Sequence, residues 1–373
     1  LISIRMGEGR QEEARRVLAN CFLLLTCLAL ALTGLAYATR HPALLLFGAS
    51  PETLPYAMDY YSYYLTGTVF ALLSTGMNQF IICQGFAKKG MQSVMLGAVL
   101  NIILDPIFIF GFHLDVAGAA LATVLSQMAS CAFVLLSLRR KRMPVRLRWG
   151  GFSWRIMRRV LAFGLSPFLI IATDSILLIV LNTVLQRYGG PELGDTLVTC
   201  ATIVQSYMLL ITMPMGGVTA GCQPIVSFNY GARQRSRITG VIHFALVLSA
   251  AIMAVGTVVF LAIPGPLLRL FDADAAVLAE GISALRLIAL SFVCAGVSVI
   301  LCAALQALGA ANSSLVVSLL RQLVLLFPLA LLLGALRPSL VWLAFLLSEG
   351  AACLTALLLY RRTARGRLAG MEE

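Results

Sequence analysis

Charge is what this sequence has least of. Asp, Glu, Lys and Arg make up 12% of its 373 residues, about half the share in an ordinary soluble domain. Apolar residues make up 60% and the mean hydropathy is +0.92, more apolar surface than a soluble core of this length can bury. Histidine is nearly absent: the three present are scattered, so no metal-ligand cluster is visible. The nine cysteines form no CxxC and almost all fall inside apolar runs. They read as small packing residues, not as ligands or a disulfide framework. No GxSxG, P-loop or HExxH occurs, which leaves no basis for an enzyme, an ATP-driven pump or a bound cofactor.

What the chain does have is long apolar runs, ten of them: 15–39, 55–83, 91–111, 117–138, 157–186, 197–226, 238–263, 279–307, 314–334 and 340–360. Each can cross about 30 Å of hydrocarbon, and each is too long for a barrel strand of about 10 residues. With no water in the bilayer to satisfy the backbone, the runs must be helices. The expected fold class is an all-α polytopic membrane protein.

The chain also repeats itself, with landmarks recurring 222 to 224 residues apart. Arg10-Gln11 returns as Arg233-Gln234, Phe47 as Phe271, Gly85 as Gly309, Ser126-Gln127 as Ser348-Glu349, and Arg139-Arg140 as Arg361-Arg362. A fixed period describes architecture first. Spans one to four match spans seven to ten, so the repeating unit is six helices. An even number makes the copies parallel, one of the two standard transporter plans. The expectation is two parallel six-helix lobes, twelve helices when complete and ten here, the first copy lacking its first two helices. The lobes fall at 1–138 and 157–362, with a cytoplasmic linker at 139–156 and a cytoplasmic tail at 363–373.

The net charge of +12 follows the same plan: of 28 Lys and Arg, 22 lie at span ends on one side and four on the other, with Arg286 and Arg321 inside spans. That asymmetry is the positive-inside signature, not a nucleic-acid surface. It puts the 139–159 connector and the C-terminus in the cytoplasm, and the Tyr56 to Tyr64 cluster at the outer interface. Part of the basic connector is expected to lie on the anionic leaflet. Membrane lipid is thus one expected partner, and a monomer in the cytoplasmic membrane the expected state.

Ionisable groups within spans are few, and each needs a reason. Asp105 lies in the NIILDPIFIF stretch with Asn101 four residues earlier, so both project from one helix face. A carboxylate and an amide oxygen one turn apart suit Na⁺, which wants several oxygens, or a transferable proton. Thr123 on the next helix offers a hydroxyl. The alternative is an interfacial Asp with a structural hydrogen bond to its neighbours. Asp174 lies mid-span beside Thr173 and Ser175, either as a counter-charge for cationic substrates or paired with Arg286. Arg321 and Glu349, at membrane depth in neighbouring spans, read as a structural ion pair. Gln205, Tyr207 and Met208 gather polar and soft character that suits a substrate cleft. Pro106, Pro167, Pro214 and Pro328 mark kinks, static or hinge-like.

The NxxxDP stretch at 101–106, the GAAxAT segment at 118–123 and the IVQSYMLLITMPMGGVTAGCQPIVSFNYGAR run at 203–233 together resemble the multidrug and toxic compound extrusion (MATE) family. The closest likeness is to the bacterial branch with a cation site in its N-terminal lobe, and it extends over the whole chain. The resemblance implies that Asn101, Asp105 and Thr123 bind the coupling cation, Na⁺ or H⁺, with an Asp from a first helix that this chain does not include. Some branches also use acids on the seventh and tenth helices. Asp174 matches the former, but Arg286 stands where the latter would be. The implied function is cation-coupled export of amphipathic small-molecule drugs or metabolites. A lipid-linked precursor flippase of a related two-lobe family is the competing reading. It predicts several basic side chains along a groove, and only Arg286 and Arg321 lie within spans.

Overall fold

A computed structural model describes residues 1–46, 53–271 and 274–371, the side chains of Leu46, Asp174, Leu178, Pro191 and Glu192 excepted. The Phe47 landmark therefore lies outside the described residues. Among those described there is helix and no strand. Nine helices are long and apolar enough to cross a membrane, or ten when the bent pair Ala275–Ala289 and Phe292–Ala307 counts as one. The all-α polytopic fold expected from the apolar runs is the fold observed. The chain divides into two compact units, Leu1–Val160 and Leu161–Glu373.

The first unit begins with α1 (Ile2–Gly7), α2 (Gln11–Leu46) and α3 (Leu54–Cys83). It continues with α4 (Ala87–Pro106), extended by a π-turn at Ile107–Gly111, and α5 (Asp115–Arg139). Its core gathers Leu18, Met77, Ile81, Val134 and Leu138, all fully buried. Between helices the contacts are small and polar. A Cβ at Gly67 would meet Val124 at 2.7 Å, and one at Gly97 would collide with Ser130. Ser130 donates to the Ser93 carbonyl (3.0 Å) and Ser93 to Asn78 (3.1 Å), which ties α3, α4 and α5 together. Membrane helices associate through such close approaches, since lipid supplies no hydrophobic drive between them. The other face of α4, with Ile102, Val94 and Met95 well exposed, is an apolar surface suited to lipid.

The stretch after α5, expected as a linker resting on the leaflet, is held by the first unit itself. Met143, Val145 and Leu147 are buried in its core, while Arg142, Pro144 and Arg148 face outward. That alternation is the two-residue period of an extended chain. The Val145 N–H donates to Gln84 Oε1 at 2.8 Å, and the Ser153 N–H to Asn20 Oδ1 at 2.8 Å. Asn20, fully buried, donates in turn to the carbonyls of Gly151 (3.1 Å) and Arg16 (2.7 Å). The sequence showed the arginines, but not the helix residues that receive the apolar partners between them.

The second unit takes up most of α6 (Trp154–Gly190), then α7 (Leu193–Gly231), α8 (Arg235–Ala262), α9 (Pro264–Arg269), α10 (Ala275–Ala289) and α11 (Phe292–Ala307). It ends with α12 (Ala311–Leu319), a π-turn at Leu320–Leu326, α13 (Phe327–Leu336) and α14 (Val341–Arg367). Helices α6 and α7 meet at Gly190, whose φ of 64° and ψ of −164° break the helical path; only glycine adopts that region readily. Between α10 and α11 the chain bends by 46°.

The repeat is visible in the turns. Gly9, Gly85, Arg233 and Gly309 have φ of 75°, 87°, 58° and 78°. Each donates its N–H to the carbonyl three residues back, and the next residue donates five back: Gly9 to Met6 and Arg10 to Arg5, Gly309 to Gln306 and Ala310 to Leu305. This is the Schellman stop, which satisfies the last carbonyls of a helix and favours glycine at the left-handed position.

Candidate functional site

The two sides of the site come from one hairpin, α4 and α5. Asp105 lies six residues before Gly111, roughly 9 Å from that end of the helix at 1.5 Å per residue. Thr123 lies eight residues into α5, roughly 12 Å from its start. The matching depths put them side by side, and Asn101 joins them. Its Nδ2 donates to Asp105 Oδ1 at 3.0 Å and to Thr123 Oγ1 at 3.3 Å. The Thr123 hydroxyl donates to the Ala119 carbonyl at 3.0 Å, so its lone pairs face the cluster. All three side chains are half-buried.

The turn between the two helices sets this register. Pro106 has no N–H to give to the turn before it, and the chain answers with the π-turn Ile107–Gly111, a distortion frequent at functional sites. His113 and Asp115 then take positive φ, 54° and 44°. Gly118 lies against the π-turn so closely that a Cβ would sit 2.9 Å from both the Phe108 carbonyl carbon and oxygen. Sequence reading found Asn101, Asp105 and Thr123, but it did not find Gly118 as the residue that lets α5 close over the turn. The only signal was its place at the head of the GAAxAT segment.

The other expected residues lie in the second unit. Arg321 and Glu349 meet at 3.6 Å, with 20% and 15% of their side chains exposed. Tyr207, expected in a cleft, is buried in the core, and it also lines a cavity of about 290 Å³ with Leu210, Pro214 and Phe260. Its hydroxyl donates to the Leu267 carbonyl at 2.8 Å, and its ring lies edge-on to Phe260 and Phe271 at 5.4 and 5.3 Å. Met208 is half-buried against the same core, and Gln205 is exposed on α7. The side chain of Asp174 lies outside the described residues, and Arg286 is exposed on α10.

A repeated series of membrane-length helices, with small-residue contacts and a polar cluster at membrane depth, defines a polytopic helical transporter. The MatE family profile matches residues 1–107 and 170–332, and the chain belongs to that family of membrane transporters. It is 26% identical over 316 residues to the multidrug export protein MepA of Staphylococcus haemolyticus, covering 84% of this chain and 68% of that protein. It is 27% identical over 326 residues to MepA of Staphylococcus saprophyticus, covering 87% and 70%. Among solved structures it resembles an outward-facing multidrug resistance MATE family transporter of the MOP superfamily (TM-score 0.90, 24% identity, 98% of this chain and 82% of that one). It also resembles a MATE in a bent conformation (TM-score 0.90, 25% identity, 98% and 82%).

Proposed function

We propose that the protein is a cation-coupled antiporter of a bacterial cytoplasmic membrane, exporting amphipathic, often cationic small molecules by alternating access. The observation that carries this is the Asn101 amide bridging the Asp105 carboxylate and the Thr123 hydroxyl at membrane depth. A carboxylate there costs about 2.5–3.5 kcal/mol on the insertion scale, and three oxygen-bearing side chains converging on one point suit a transported cation. The multidrug export function of the MepA relatives supports the cargo class.

The amide suggests how the site cycles. In the structure the Asn101 N–H groups hold Asp105 and Thr123 together. A half-turn of the amide brings its oxygen round in place of its nitrogen. Asp105, Asn101 and Thr123 then present oxygens to Na⁺, whereas with H⁺ the proton rests on the Asp105 carboxylate itself. Cation binding promotes cargo release because bound cation and bound cargo favour different states of the carrier.

The test is gradient-driven uptake of an amphipathic cation into vesicles carrying the protein, with Na⁺ and H⁺ gradients imposed separately. Asp105→Asn is expected to insert and fold, since it removes charge from a costly position. It should lose coupled uptake at least a hundredfold, because an amide neither releases a proton nor neutralises Na⁺. Normal coupled uptake by Asp105→Asn would overturn the assignment.

A further inference from the structure

A cavity of about 220 Å³ opens within the second unit. It is lined by Thr219 and Gln223 of α7, Ser298 and Gln306 of α11, Ser318 of α12 and Arg321 of the second π-turn. It is smaller than a pocket for a whole drug-sized molecule, so it fits one end of a ligand.

Its chemistry is one-sided. Arg321 lies ten residues past Ala311, roughly 15 Å along the helix, a depth at which a guanidinium needs a reason. Glu349 at 3.6 Å balances its charge, yet Arg321 also forms part of the cavity wall. The planar fork of a guanidinium matches oxyanions. Around it the polar lining is neutral, and apolar side chains, Ile170, Val299 and Val317 among them, complete the wall. Gln223 Nε2 donates to Gln306 Oε1 at 3.2 Å, and Gln306 Nε2 to Ser314 Oγ at 3.0 Å, which fixes both amides. Among the described residues no Asp or Glu side chain lines the cavity. The cluster around Asp105 in the first unit has the opposite polarity.

We propose that this cavity receives the carboxylate end of amphipathic zwitterionic or anionic substrates, with Arg321 as the residue that selects for it. The proposal rests on the transporter reading above and adds a substrate class to it. The apolar body of such a molecule would extend beyond the cavity, since only the carboxylate end fits inside.

The test is fluorescence anisotropy on the purified protein in lipid nanodiscs with a matched pair of dyes, rhodamine B with its free carboxylate and rhodamine B methyl ester. A charge-assisted contact predicts that the free acid binds about 10- to 100-fold more tightly than the ester. Arg321→Gln alone would strand Glu349, so the variant is Arg321→Gln with Glu349→Gln, which removes both charges together. It should reduce the preference below about twofold. Ser318→Ala leaves the ion pair in place and should reduce the preference by a few-fold. Asp105→Asn should keep the preference intact while losing coupled uptake, which separates failure of this site from failure of the antiporter reading. Equal binding of the two dyes, no binding of either, or a preference that survives in the double variant would overturn the proposal.

Discussion

Asn101 is the residue on which the first unit's cluster turns. Its single amide nitrogen contacts both Asp105 and Thr123, so removing it loosens two partners, yet it leaves the charge of the site in place. Asn101→Ala should therefore raise the half-saturating cation concentration in vesicle uptake about 5- to 10-fold, in line with roughly 1 kcal/mol for a neutral hydrogen-bonding group. Thr123→Val should raise it only about twofold, since that hydroxyl already donates to Ala119. A larger effect from Thr123→Val than from Asn101→Ala would mean that the hydroxyl is the main neutral ligand. A second residue is out of place on energetic grounds. Arg233 occupies the left-handed stop that its counterparts Gly9, Gly85 and Gly309 fill with glycine. A side chain there costs about 1–2 kcal/mol, so Arg233→Gly should raise the thermal midpoint of the detergent-solubilised protein. Gly85→Ala should lower it by a comparable amount, because a Cβ at Gly85 meets nothing within 4 Å and the cost is purely backbone strain. A midpoint that falls in Arg233→Gly would show that the guanidinium makes a compensating contact.

Two π-turns, at Ile107–Gly111 and Leu320–Leu326, accompany the two proposed sites. Each has a proline close by, Pro106 or Pro328; Asp105 lies just before the first and Arg321 within the second. Proline was legible in the sequence as a kink, and the Asn101–Asp105 pair as one helix face, because both are local, four-residue relations. The π-turns were not legible, because they depend on what packs against them. Gly118 is the clearest case: its approach to Phe108 links positions ten residues apart and sets where α5 runs past Asn101. Gly118→Ala must push the Phe108 backbone by several tenths of an ångström, since no rotamer can relieve a contact with a main-chain carbonyl. It should weaken cation affinity about 3- to 10-fold through the Asn101–Thr123 spacing, with little change in expression. Unchanged affinity would uncouple the turn from the site. The connector was legible as a segment, but its docking onto the first unit was not, for the same reason. Its arginines are visible in one dimension, but the partners of Met143, Val145 and Leu147 lie on helices far away in sequence. The second unit's cavity was likewise hidden, since its lining brings Ile170 of α6 and Thr219 and Gln223 of α7 against α11, α12 and a π-turn that lie far along the chain from them.

At the scale of the whole molecule, the fold was legible because hydrocarbon thickness converts directly into run length, and orientation is the remaining question that gives the transport its direction. We propose from the twenty-two basic residues against four that the Lys88-Lys89 turn and the connector are on the cytoplasmic side, and so the Phe112 turn and Arg337 on the other. Asp105, near the Phe112 end of its helix, then lies closer to the outer surface. A cation entering there and leaving inward moves down the membrane potential, which supplies about 2.3 kcal/mol per charge at 100 mV, roughly a 50-fold concentration ratio for an exported molecule that carries no net charge. Reversing the orientation would make the same potential oppose export. The two orientations separate cleanly with single cysteines in a cysteine-free background. Phe112→Cys and Arg337→Cys should react with a membrane-impermeant thiol reagent in intact cells, whereas Lys88→Cys and Arg148→Cys should react only after the cells are opened. All four positions are exposed in the fold, so burial within the protein cannot account for a missing reaction. Labelling of Lys88→Cys and Arg148→Cys from outside would invert the topology, and with it the inward direction assigned to the cation.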